Sequence, residues 1–152
     1  MDFYSDMHVK KLKSCQRFKE RATDAIARCY GEENLQSNIK IDLIPIDLRV
    51  ELNAEETVII TFLYETDPDM LPRLLELAMP RLRKALKLLE INDSPKKNSG
   101  LALILLDCED AESIQNNWLI KMRENLNSVI IRYIDVDQIE WDCDYLKRFI
   151  EF

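Results

Sequence analysis

Residues 101–110 read LALILLDCED, and the fold turns on this stretch. Leu101–Leu106 is six apolar residues in a row. A strand with one wet face alternates apolar and polar positions, whereas a strand covered on both faces does not. The run therefore predicts a central strand, parallel to a neighbour and sandwiched between helices.

Downstream, Asp110–Asn125 places Ile114, Trp118, Leu119 and Met122 at helical spacing. Ser128–Ile134 reads as a further strand. Val136–Ile150 reads as a last helix burying Ile139, Cys143, Leu146, Phe149 and Ile150. Strand, helix, strand in this order implies a right-handed crossover and a parallel pair. Upstream, Asn92–Gly100 (NDSPKKNSG) is polar and reads as an exposed, protease-sensitive loop. Before it, Asp67-Pro68-Asp69 opens a long helix, because an acid followed by proline suits the exposed N–H groups of a first turn. Leu71, Leu74, Ala78, Leu82, Ala85 and Leu89 hold one face of that helix. The face keeps its phase through Pro80, which predicts one kinked helix rather than two.

Two strands are expected in the first half. Thr57–Tyr64 is nearly continuously apolar. In Ile39–Leu52, Ile44, Ile46, Leu48, Val50 and Leu52 alternate with Pro45, Asp47, Arg49 and Glu51, which predicts one buried and one wet face. The phase changes at Leu43–Ile44, so a bulge or an edge position is expected beside Pro45. A turn at Asn53–Glu56 makes the pair an antiparallel hairpin. Asp6–Cys29 has a helical stripe, and Gly31 supplies a stop. The predicted order is α-β-β-α-β-α-β-α. It describes one α/β domain over residues 1–152, with a four-stranded mixed sheet: an N-terminal antiparallel hairpin plus a parallel βαβ unit.

Composition narrows the function classes. A chain of 152 residues with 47% hydrophobic and 32% charged residues is globular and has core enough to fold without metal or disulfides. With only Gly31 and Gly100 in the chain, a glycine-rich phosphate cradle is excluded. There is no Gly-x-Ser-x-Gly elbow, and His8 is the single imidazole, so Cys–His or Ser–His catalysis has little to work with. Cys15, Cys29, Cys108 and Cys143 form no CxxC pair and read as small core residues in a reducing compartment. No secretory h-region and no run of about 18 apolar residues is present, so a cytoplasmic location off the membrane is expected. The net charge is −7, and it is segregated. Residues 1–30 carry net +3, 31–65 net −6, 66–97 net +2 and 98–152 net −6. That acidity disfavours nucleic acid as a partner.

Three groups of residues could carry function. The first is acidic. The two C-terminal strands run into Asp107-Cys108-Glu109-Asp110 and Asp135-Val136-Asp137. Parallel strands would bring Asp107, Asp110, Asp135 and Asp137 to one carboxyl edge, where open α/β sheets bind ligands. Glu65 and Asp67 would join only if their strand ends there too. Such carboxylates would hold Mg²⁺ or Mn²⁺, or serve as helix caps and strand exits. The second group is aromatic and acidic: Trp141 and Tyr145, four apart, beside Glu140, Asp142 and Asp144. Aromatics dominate binding hot spots, which makes this a partner anchor unless both rings pack inward. The third is basic: Arg73, Arg81, Arg83, Lys84 and Lys87 on the outside of the long helix. With the basic residues of the first helix they would form one anion-facing surface, provided both helices cover the same sheet face.

The leading expectation is a non-catalytic protein-interaction module without a cofactor. It would act as an accessory subunit, an adaptor or an inhibitor (immunity-type) protein, alone or in a homo- or hetero-oligomer. The alternative is a Mg²⁺- or Mn²⁺-dependent nuclease or phosphohydrolase built on the strand-end acids.

Overall fold

The computed structural model describes residues 3–92, 97–115, 129–140 and 142–151. Five strands form one mixed sheet in the order β1-β2-β3-β4-β5. These are β1 (Leu35–Ile41), β2 (Ile44–Glu51), β3 (Glu56–Glu65), β4 (Lys97–Leu106) and β5 (Val129–Asp135). β1, β2 and β3 pair antiparallel, while β3, β4 and β5 pair parallel. The helices are α1 (Phe3–Tyr30), α2 (Leu71–Asn92) and α3 (Cys143–Ile150), with a helical segment at 111–115.

The mixed α/β architecture is as expected, but the sheet has five strands, not four. The stretch Ile39–Leu52 is a hairpin rather than one strand with a bulge. Ile41 pairs with Ile44, and Asp42 and Leu43 turn the chain between them with φ of 47° and 71°. Positive φ at both central residues is what a tight two-residue hairpin turn needs. Asp tolerates that conformation; Leu does not, so the usual sequence signal is missing.

The alternation in β2 has an unexpected use. Ile46 belongs to the core under α2, whereas Leu48 and Val50 belong to the core under α1. β1 changes faces at the same level: Leu35 packs on the α1 side, Ile39 and Ile41 on the α2 side. Asn38 supplies the twist with φ of 50°. Across from it Asp47 leaves the β3 ladder, and its Oδ2 accepts the Phe62 N–H at 2.8 Å instead. The wet face expected for this strand is therefore two half-faces, one in each layer.

β4 is central, as its composition predicts. Leu101, Leu103 and Leu105 face α1 and α3; Ala102, Ile104 and Leu106 face α2. All six are at most 1% exposed. β4 also starts earlier than expected, at Lys97. Polar Lys97, Asn98 and Ser99 still pair with Glu56, Thr57 and Val58 of β3, because the ladder uses backbone groups only. Gly100 is needed where it stands. A Cβ there would lie 3.0 Å from Leu86 Cδ1 of α2 and 3.3 Å from Val129 Cγ2 of β5.

α2 is one continuous helix through Pro80. A 3₁₀ turn at Pro68–Met70 precedes it, with the Asp67 side chain accepting from the Asp69 N–H. The last predicted helix is divided. Val136–Gln138 is a 3₁₀ turn, and α3 begins only at Cys143, where Asp142 caps it by accepting the Tyr145 N–H at 3.0 Å. Two capping acids seven positions apart, Asp135 and Asp142, break the helix into two starts.

Cys29 at the end of α1 and Cys143 at the start of α3 are joined by a disulfide, with Cα atoms 5.2 Å apart. This corrects the reading of four free core thiols and removes half of its support for a reducing compartment; Cys15 and Cys108 are free. No helix among the described residues is long and apolar enough to cross a membrane.

Candidate functional site

The parallel strands bring three chain exits to one edge. Glu65, Leu106 and Asp135 are register partners across β3, β4 and β5, so Glu65 does end beside the acids that follow β4. Three of the acids at this edge, Asp107, Glu65 and Asp135, have other work. Tyr64 donates its hydroxyl to Asp107 Oδ2 at 2.5 Å. Burial, then that bond, holds the Tyr64 hydroxyl well above the ordinary tyrosine range. The Tyr64 ring stacks on Phe18 of α1, with centroids 5.9 Å apart. Glu65 is 3% exposed, and Lys11 of α1 meets its Oε2 at 3.5 Å. Asp135 caps the 3₁₀ turn by accepting the Asp137 N–H at 3.0 Å. Asp110 and Asp137 are exposed.

Gln115 ties this edge together. It is 1% exposed; its Oε1 accepts the Asp135 N–H at 2.9 Å and its Nε2 reaches the Tyr145 hydroxyl at 3.5 Å. Burial pushes the Cys108 thiol up; a backbone hydrogen bond at Asp110 works against this, the Asp110, Asp107 and Asp135 carboxylates add to the rise, and the net shift is away from the reactive thiolate. Strand spacing explains why the acids stay apart. Glu65 and Asp135 sit two strands apart, about 10 Å between backbones. Among the described residues, no three His, Cys, Asp or Glu side chains come together to hold a metal ion. Tyr64 and Gln115 were missed in the sequence, and Lys11 was read only as part of a basic helix face, because their partners lie 43, 20 and 54 residues away.

The aromatic–acidic group of the C-terminus is seen in part, since Trp141, like Trp118, Leu119 and Met122, lies outside the described residues. Tyr145 is half-buried against the α1-side core, its ring 5.5 Å from that of Phe149. Asp142 is the α3 cap, and Glu140 meets Arg21 of α1 at 3.4 Å. Asp144 is exposed.

The basic group is open to solvent: Arg73, Arg81, Arg83, Lys84 and Lys87 are all exposed on α2. It does not merge with the basic residues of α1. α1 lies on the opposite face of the sheet, and its Lys11, Lys19 and Arg21 are engaged with Glu65, Asp47 and Glu140. Lys19 and Asp47, 3.8 Å apart, line a polar cleft of about 250 Å³ between α1 and the β1–β2 hairpin.

Arg81 does border an apolar groove. Its other walls are Pro45 of β2, Thr61 and Leu63 of β3, and Leu74, Leu77 and Ala78 of α2, around about 200 Å³. The groove follows from topology. The described parts of both parallel connections lie on one face of the sheet, as right-handed crossovers moving in one direction would place them. α2 and the 111–115 segment accordingly pack in the same layer. They cover β3, β4 and β5. The β1–β2 end of that face keeps Ile39, Ile41 and Ile44 only partly buried. Leu77 is 66% exposed beside it, and Leu43 at the hairpin tip is 84% exposed. No single residue announces this groove in the sequence.

No protein-family model matches the chain, and no curated protein is significantly similar to it.

Proposed function

We propose that this protein is a non-catalytic module that works by binding another protein, and that the groove between α2 and the β1–β2 hairpin is where it binds. An accessory subunit, an adaptor and an inhibitor all fit this role. One observation carries the reading: the sheet face under α2 is incompletely covered at its β1–β2 end, with Leu77 left 66% exposed in the groove and Ile39, Ile41 and Ile44 of the same face only half-buried. Apolar surface at a concave site costs solubility unless something uses it.

The carboxyl edge offers less. Its acids cap a turn, accept a tyrosine hydroxyl or pair with a lysine, and they do not gather.

The test is site-specific photo-crosslinking in cells that produce the chain. A photoreactive residue at position 77, inside the groove, or at position 44, next to its Pro45 wall, should give the same discrete protein adduct. The same residue at position 33 or 112, both exposed elsewhere, should not. Equal labelling at all four positions, or none at 77 and 44, would sink the reading.

A further inference from the structure

We infer that the groove takes an amphipathic helix of a protein partner, apolar toward the sheet and acidic along its flank. The inference rests on the groove being a protein-binding site and adds the chemistry of what fills it.

The shape argues for a helix. A helix laid beside α2 would sit about 8–10 Å from it, the ordinary spacing of packed helices. It would complete a layer that the protein leaves short at the β1–β2 end. The opposite face shows the finished arrangement: α1 and α3 lie side by side over the sheet there, joined by the Cys29–Cys143 bond. The groove follows α2 from Leu74 to Arg81, about two helical turns.

The charge argues for acid. Arg73, Leu77, Arg81, Lys84 and Leu88 follow one another at four-, four-, three- and four-residue steps, so they form one stripe of α2, and Leu77 and Arg81 of that stripe line the groove. Three of the five are basic and none is acidic. Glu76 and Glu90 fall on another side of the helix, roughly 100° and roughly 140° from the centre of the stripe by helical geometry. None of Arg73, Arg81 and Lys84 forms an ion pair with a described residue. In a chain of net charge −7, a basic stripe along an apolar groove selects its ligand by sign.

Other occupants fit less well. A second copy would have to offer an acidic helix with a free apolar face. α3 is acidic at its start, but its Leu146, Phe149 and Ile150 are buried in its own core. An anionic membrane is flat where this site is concave.

The experiment uses the full chain and a fluorescent synthetic helix of about four turns. Leucines mark one face of the peptide and glutamates flank them; a second peptide carries lysines in place of the glutamates. Fluorescence anisotropy should show the acidic peptide binding about tenfold or more tighter than the basic one, with affinity falling as salt rises. Arg81→Glu with Lys84→Glu should reverse that preference, and Leu77→Asp should abolish binding. All three positions are exposed, so circular dichroism melts should match the wild type. Equal binding of both peptides would overturn the acidic partner and leave the groove standing. Binding of neither, with crosslinking at position 77 intact, would also overturn it. Loss of both signals would remove the groove reading itself. A dimer that Leu77→Asp dissociates, or capture by phosphatidylserine vesicles in place of the peptide, would overturn it in favour of those occupants.

Discussion

Single residues decide where the chain departs from its own pattern. Leu43 holds φ of 71°, a conformation that costs a non-glycine residue about 1–2 kcal/mol, and it is 84% exposed. Replacing it removes that strain and almost no packing. Leu43→Gly should therefore stabilise the protein by about 1 kcal/mol, read as a higher urea midpoint with an unchanged slope. The same residue hid the hairpin, because an apolar side chain stands where Asn or Gly would have marked the turn. The strand-end acids were legible as residues and as an edge. Their uses were not, since a cap or a hydroxyl bond depends on which N–H or O–H the fold delivers. Asp135 rather than Asp137 is the cap because its side chain, two residues back, meets the Asp137 N–H.

At the scale of elements, strong periodicity was reliable. α1, α2, β3 and β4 stand close to where their patterns place them, because each sets a long apolar face against one or two layers. Short elements were not reliable. The 3₁₀ turn at Val136–Gln138 and the eight-residue α3 look like one helix in sequence, and only the Asp142 cap separates them. The disulfide acts at this scale too. It ties the end of α1 to the start of α3 across a separation of 114 residues, so it restricts the unfolded chain strongly. Reduction with dithiothreitol should cost about 2–5 kcal/mol and lower the melting temperature. Cys29→Ser should melt at the reduced temperature and stop responding to the reductant. A wild type indifferent to dithiothreitol would mean that packing alone holds α3.

The whole molecule is two apolar layers around one sheet, and its buried tyrosines link it to pH. Burial pushes the Tyr133 hydroxyl from 10.0 up to about 12, and Tyr30 and Tyr64 are raised as well, again first by burial. In the unfolded chain these hydroxyls ionise near the ordinary value, so between the two values the unfolded state binds fewer protons. Stability is then whole below about pH 10 and falls as pH rises toward 12. Tyr133 alone should account for about 1–3 kcal/mol of that loss. Tyr133→Phe should shrink the alkaline drop in melting temperature without abolishing it, because Tyr30 and Tyr64 remain. The layered α/β architecture was legible in the chain, since an uninterrupted apolar strand demands cover on both sides. The uneven cover was not. It depends on both crossovers choosing one face, and on a hairpin that changes layers at Asn38 and Asp47.

That change of layers bears on how the molecule behaves in a crowd. β1 is one edge of the sheet, and an open edge invites another chain to add a strand and begin a fibril. Here the template is short and broken. β1 has seven residues, and Asn38 at its centre, with φ of 50°, turns the backbone out of the extended path. An incoming strand meets about three residues in register before its hydrogen-bonding row is interrupted. The kink that lets two short strands serve both cores thus also guards against aggregation, and it lets an apolar recess stand open beside the edge.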